Sequence, residues 1–315
     1  LYIIKPLITN MNGLISIFDL TRADIEAILE SAAVLKEERR SGSRRRDDLE
    51  GRILALIFEK PSTRTRISFE VAMLELGGDV ISLNWNELQL GRGERIKETA
   101  EVLSSYLDAV MIRAYAHTTI EEFARYASIP VINGLSDLEH PCQTLADLMT
   151  IREYKKKLSG IKVAWVGDGN NVCNSLIGGC ALMGMELSIA CPEGFEPAEH
   201  VIRMAEAMGA VIHISEDVKE AVTDADVIYT DVWVSMGDEA DRARREEALR
   251  DYQVNEGVVA MAKEDAIVMH CMPVHVGEEL TEAVLNSEEA VILEQAENRL
   301  HAQKALLLKL LKWQC

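Results

Sequence analysis

The sequence predicts an α/β protein of two domains, each a parallel sheet flanked by helices, linked by interdomain helices. Three observations predict this fold. The chain has 315 residues, long for one compact core and ordinary for two. Short continuous apolar runs, the mark of strands buried on both faces, recur in both halves. Helix-length segments separate them, and strands that alternate with helices build parallel sheets. Hydrophobic residues make up 48% of the chain, enough to fill two cores and too many for a disordered protein.

Residues 20–40 read as an amphipathic helix capped by Thr21, with Ile25, Ile28, Leu29, Ala32 and Leu35 at helical spacing. The polar run 36–50, with Arg44, Arg45 and Arg46, reads as a solvated loop. Strands are then expected at 53–58, 80–83, 109–112 and 131–132, with helices at 64–76, 94–106 and 119–126. A longer helix, 141–156, forms the bridge between the halves. The second half offers strands at 162–166, 186–190, 211–214, 227–230, 267–270 and 291–293. A final helix, 296–311, carries Leu300, Leu307 and Leu311 on one face. The expected division is a first domain 1–146 and a second 147–295, with the C-terminal helix 296–315 packing back on the first.

Charge narrows the function. The chain carries 33 Lys+Arg against 52 Asp+Glu, a net charge of −19. That balance argues against a general nucleic-acid binder, which needs a basic stripe, and against a polybasic membrane surface. Small molecules are the expected partners, with no nucleic acid and no membrane. Cysteines stand at 142, 173, 180, 191, 271 and 315 without a CxxC pair, as in a cytoplasmic protein with free thiols. No apolar run approaches the roughly eighteen residues of a spanning helix. The apolar segment 1–8 lacks the basic start of a signal peptide, and Met11 is the expected natural start, the first ten residues being an extension.

In open parallel sheets ligands bind beyond the carboxyl ends of the strands, so the loops after each strand are the places to search. After the first comes Glu59-Lys60-Pro61-Ser62-Thr63-Arg64-Thr65-Arg66: a proline and a capping serine that open a helix, with hydroxyls and arginines around its positive end. This suits a phosphate; an ordinary capped helix with surface arginines is the plainer alternative. Arg113 ends the third strand, where a buried guanidinium needs an anionic partner. His140 precedes Pro141-Cys142-Gln143 and is placed to donate to a substrate oxygen, although a histidine satisfied within its loop is the stronger reading of this motif alone. Gly167-Asp168-Gly169-Asn170-Asn171 begins like a dinucleotide fingerprint, but Val172 replaces the third glycine and no acid ends the next strand. Asp231 follows another strand and suits a cationic group, with Ser235-Met236-Gly237 as a mobile loop. Cys271, between His270 and His275, fits a nucleophile, a proton-transfer partner or a metal ligand, with a buried inert cysteine as the stronger reading of the motif alone. A zinc site would recruit His140, Cys142, Cys271 and His275, but their spacing matches no common zinc module.

Taken together, Ser62-Thr63-Arg64-Thr65, His140-Pro141-Cys142-Gln143, Asp231 with Ser235-Met236-Gly237, His270-Cys271-Met272-Pro273 and Glu297-Asn298-Arg299 resemble the motifs of the aspartate/ornithine carbamoyltransferase family, in order, over nearly the whole chain. Met272 stands where the family usually has leucine, and Val276 where many relatives carry arginine. The resemblance implies transfer of a carbamoyl group from carbamoyl phosphate to L-ornithine, giving citrulline and phosphate. It implies that Ser62, Thr63, Arg64, Thr65, Arg113, His140, Gln143, Cys271, Met272 and Arg299 serve carbamoyl phosphate, with Arg113, His140 and Cys271 catalytic. Gln89 would join them from a neighbouring subunit, in a homotrimer or an assembly of trimers. Asn171, Asp231, Ser235 and Met236 would hold ornithine. Phosphate held by fixed donors is a good leaving group, so neither metal nor organic cofactor is implied. A relative that takes aspartate would need basic residues where Asp231 stands, whereas putrescine, also cationic, passes the same charge test. A nucleotide-binding α/β protein built on the Gly167–Asn171 turn is the alternative from another class.

Overall fold

The computed structural model describes residues 13–235 and 239–312. The first half runs β1 (Gly13–Leu14), α1 (Arg22–Arg40), β2 (Ile53–Phe58), α2 (Thr63–Glu75), β3 (Asp79–Asn84), α3 (Ile96–Ser104), β4 (Ala109–Arg113), α4 (His117–Tyr126), β5 (Val131–Leu135) and α5 (Pro141–Lys155). The second runs β6 (Lys162–Val166), α6 (Asn171–Met183), β7 (Glu186–Ala190), α7 (Glu199–Ala207), β8 (Val211–Ser215), α8 (Val218–Val222), β9 (Val227–Thr230), α9 (Arg242–Leu249), α10 (Glu256–Val259), β10 (Ile267–His270), α11 (Glu282–Leu285) and α12 (Ile292–Leu311).

Two five-stranded sheets result, in the orders β1-β5-β4-β2-β3 and β10-β9-β6-β7-β8, every pair parallel. Successive strands go to opposite sides of β2 in one sheet and of β6 in the other. Each sheet therefore opens a crevice at the carboxyl ends of its central strands. Strands such as Leu54–Ile57 and Val163–Val166 are buried on both faces, as their unbroken apolar runs require. The last helix, α12, leaves the second sheet and packs against α1, α2 and α5 of the first half. Among the described residues no helix is long and apolar enough to cross a membrane.

Several expectations need correction. The run 291–293 is not a strand. It touches the sheet edge through a bridge between Val268 and Ala290 and a 3.0 Å bond from the Val291 amide to the Val268 carbonyl, then turns into α12 at Ile292. So short an apolar run serves a buried helix start as well as a strand. The helix expected over 20–40 does run to Arg40, so the solvated loop expected from 36 starts only after it, and Lys36 is buried, its Nζ donating to Glu153 at 2.8 Å and to the Asn298 side chain at 2.6 Å. Arg46 is also tied down, by Glu38 and Asp48. The Gly-x-Gly turn exists for packing: a Cβ on Gly169 would stand 2.3 Å from the Pro197 nitrogen, and Gly167 holds φ +123°.

Candidate active site

A cavity of about 310 Å³ lies where the carboxyl ends of the two sheets face each other. One wall comes from the first half. Ser62 caps α2, its hydroxyl accepting from the Thr65 amide at 3.2 Å, so the first turn directs free N–H groups and the positive end of a 13-residue helix at the cavity. Arg113 reaches it from the end of β4, where the register with β5 shifts between Ile112 and Arg113 and re-aims the chain. Arg299 comes from α12, only 3% exposed. Its Nη2 donates to Thr65 Oγ1 at 2.8 Å, and its Nη1 to the Gln143 carbonyl oxygen. Burial, with Arg299 and Arg64 nearby, pushes the Arg113 guanidinium down to about 10, so it stays charged at neutral pH.

His140 is the residue just before α5, and its backbone amide is pinned to the Ser175 hydroxyl at 2.7 Å. Burial, then the charges of Arg299, Arg113 and Arg64, push its imidazole well below the usual histidine range. The ring is therefore neutral. Arg299 Nη1 stands 3.1 Å from Nε2 and can only donate, which assigns the imidazole proton to Nδ1. Among the described residues that N–H has no partner. A residue lining the cavity thus keeps an unspent donor beside two guanidinium groups, the arrangement that stabilises an oxyanion.

The facing wall differs. Asp231, past the end of β9 and 6% exposed, accepts from the Asn170 side-chain Nδ2 at 2.7 Å and from the Cys271 thiol at 3.0 Å. Burial and the carboxylate of Asp231 raise the Cys271 thiol well above its usual range, so it is a protonated donor. Asn171 opens α6 and donates to the Ser136 carbonyl at 2.6 Å. Met272 sits in the left-handed region, φ 63°, before Pro273, and both line the cavity.

Most of the sequence-predicted residues converge: Ser62, Thr63, Arg64, Thr65, Arg113, His140, Asn171, Asp231, Ser235, Cys271, Met272 and Arg299 all line this space. Gln143 does not; it is fully buried behind Arg299. Gln89 lies on an exposed turn, Gln89–Arg92, outside this chain's cavity. Met236 lies outside the described residues. Arg66, expected to join the positive cluster, instead pairs with Glu70 one helical turn on. The zinc combination is not assembled: among the described residues the groups within reach of one ion are Asp231-His270-Cys271 and His275-Glu278-Glu279. Lys60 was missed. It is buried, lines both this cavity and its neighbour, and its Nζ lies 4.5 Å from the Tyr115 ring centre. Its place before Pro61 at the end of the first buried strand was the available signal.

Comparison with known proteins bears on this site. Residues 12–153 match the family model described as aspartate/ornithine carbamoyltransferase, carbamoyl-P binding domain, and residues 159–310 match its Asp/Orn binding domain. The chain is 58% identical over 300 residues to ornithine carbamoyltransferase of Methanopyrus kandleri, covering 94% of this chain and 96% of that one. It is 55% identical over 301 residues to the Archaeoglobus fulgidus protein of the same name, covering 96% and 98%. The solved ornithine carbamoyltransferase of Pyrococcus furiosus superposes with a TM-score of 0.92 at 50% identity, covering 96% of this chain and 98% of that one.

Proposed function

This chain belongs to the aspartate/ornithine carbamoyltransferase family, and from that premise we propose that it transfers the carbamoyl group of carbamoyl phosphate to the δ-amine of L-ornithine, releasing L-citrulline and phosphate. The observation that carries this reading is the division of one cleft into a cationic wall and a wall bearing Asp231.

The first wall takes carbamoyl phosphate. The phosphate sits at the start of α2, held by Ser62, Thr63, Arg64 and Thr65, with Arg299 beside them. Arg113 and the His140 Nδ1–H aim at the carbonyl oxygen and strengthen their hold as it becomes an oxyanion. Gln143 acts from behind, through Arg299. Ornithine lies on the second wall against Asn171, Asp231, Ser235 and Met236. It carries two ammonium groups, of which only the attacking one must lose its proton. Asp231 suits the one that stays charged. Cys271 lies beside the attacking nitrogen, and because its thiol is already protonated the amine proton passes to the departing phosphate rather than to sulfur. Positioning of two bound substrates supplies most of the acceleration.

The division at 1–146 and 147–295, with helix 296–315 returning to the first domain, belongs to the same proposal. So do a homotrimer or assembly of trimers in which Gln89 completes a neighbour's site, a cytoplasmic location and a place in arginine biosynthesis. A direct test mixes purified protein with carbamoyl phosphate and ornithine and measures both products. Citrulline and phosphate in equal amounts are expected; phosphate without citrulline, or neither, rejects the reading.

A further inference from the structure

Behind the cavity one carboxyl group joins both halves of the chain. Asp147, on α5, is fully buried and does not line the cavity. Its Oδ1 accepts from Gln143 Nε2 at 2.8 Å and from Gln295 Nε2 at 2.7 Å; its Oδ2 accepts from the Tyr229 hydroxyl at 3.2 Å. Each glutamine has a second task. Gln143 Oε1 accepts from Arg299 Nη1. Gln295 Oε1 accepts from the His270 amide at 2.8 Å, and His270 Nδ1 accepts from the Met272 amide at 2.8 Å. One arm of the network ends on the cationic wall, the other on the turn that carries Cys271 and Met272.

We propose that Asp147 is a positioning residue that fixes the amide orientation of Gln143 and Gln295, and through them places Arg299 on one wall and the turn 270–272 on the other. The inference rests on the function proposed above. A carboxamide is nearly symmetrical in shape and opposite in polarity at its two ends. With a carboxylate holding Nε2 of Gln143, the carbonyl end must face Arg299. Remove the carboxylate and Nε2 loses the buried acceptor that anchors it, so the side chain is free to swing its carbonyl end off Arg299. The same holds for Gln295 and the His270 amide. Burial pushes the Asp147 carboxyl up to about 7, so the site uses its acceptor oxygens more than a full charge. Asparagine therefore conserves the function: it keeps one acceptor oxygen for both glutamines and sets its NH₂ beside the Tyr229 oxygen. Alanine conserves nothing.

The test uses the full chain as wild type, Asp147→Asn, Asp147→Ala and Gln295→Met. Citrulline rates are measured with each substrate varied, inorganic phosphate is titrated calorimetrically, and thermal midpoints report folding. Asp147→Ala is expected to weaken phosphate binding and to lower kcat/KM for both substrates by about tenfold or more, the size of effect that slight misplacement produces. Asp147→Asn should remain within about threefold of wild type, and Gln295→Met should raise the ornithine KM by about tenfold with phosphate affinity unchanged. A folded Asp147→Ala with wild-type kinetics overturns the proposal. So does an Asp147→Asn as impaired as Asp147→Ala, or a Gln295→Met that weakens phosphate and spares ornithine. If Asp147→Ala does not fold, the other two variants decide. A wild-type protein that makes no citrulline rejects the proposed function, while the phosphate titrations still judge the positioning role.

Discussion

In the first sheet, the segments that follow β2 and end β4 bring Lys60, Arg64 and Arg113 to the cleft, whereas the loops after β6, β9 and β10 of the second bring Asn171, Asp231 and a protonated Cys271. The two sheets share strand number and parallel pairing, and each divides about its first long strand, β2 or β6. Similar scaffolds therefore carry opposite chemistry at their open ends, and the residues at and just beyond the strand ends, with Arg299 from α12, make the difference. Between them a phosphate-bearing donor and an ammonium-bearing acceptor are sorted by charge before any reaction occurs. The net charge of −19 says nothing of this: it describes the whole surface, while Lys60, Arg113 and Arg299 of the cationic wall are buried, with Arg64 exposed at its edge.

Each wall can be broken separately. The largest loss is expected from Arg113→Ala, which removes an oxyanion donor and should cut citrulline turnover by about a hundredfold or more. Unchanged steady-state turnover would take Arg113 out of the mechanism. Next comes Asp231→Asn, which keeps one acceptor oxygen but removes the negative charge that makes the bond charge-assisted. The ornithine KM should rise by about tenfold or more while phosphate affinity holds, as calorimetry with phosphate will report. Equal loss at both substrates would mean that the walls are not independent. Cys271→Ser keeps a donor toward Asp231, so folding should be intact and ornithine use weaker by about fivefold, the scale of one hydrogen bond. A lowered thermal midpoint would instead make that thiol a packing residue.

The smallest effect is expected from pH. His140 is pushed down and Cys271 up, so neither wall changes charge as the pH moves from about 6 to about 8. Phosphate binding should follow the ionisation of phosphate and of the Asp147 carboxyl behind the site, pushed up to about 7, and a further inflection that disappears in His140→Asn would contradict the neutral imidazole. The sign for stability follows. The unfolded chain takes up a proton at His140 below about pH 6.5 and the folded chain resists it, so this residue's contribution is lost as the pH falls through that range. His140→Asn should flatten that part of the profile.

Much of the site was legible because one rule places it. Buried strands announce themselves as apolar runs, and polar residues just beyond their ends can only face the crevice. Arg113, Asp231 and Cys271 follow from that rule alone. Other features depend on distant partners. Asp147 looks like one polar residue on a long helix; its meaning lies in Gln295, 148 positions away. Lys36 sits in a charged run that reads as solvent-facing, yet Glu153 and Asn298 receive it in the interior. Arg66 was readable and was misread: Glu70 stands at i+4, the spacing of a helical ion pair. Gln89 has no place in this cavity, and the neighbouring subunit that would give it one is not encoded in any local pattern.

The central claim is that the wall bearing Asp231 selects a cationic amino acid to receive the carbamoyl group. Initial rates with carbamoyl phosphate and, in parallel, L-ornithine, L-aspartate and putrescine test it most directly. Rapid carbamoylation of ornithine is expected, with aspartate unreactive because its carboxylates meet Asp231 without a basic partner. Aspartate turning over as fast as ornithine, or putrescine faster, would contradict it.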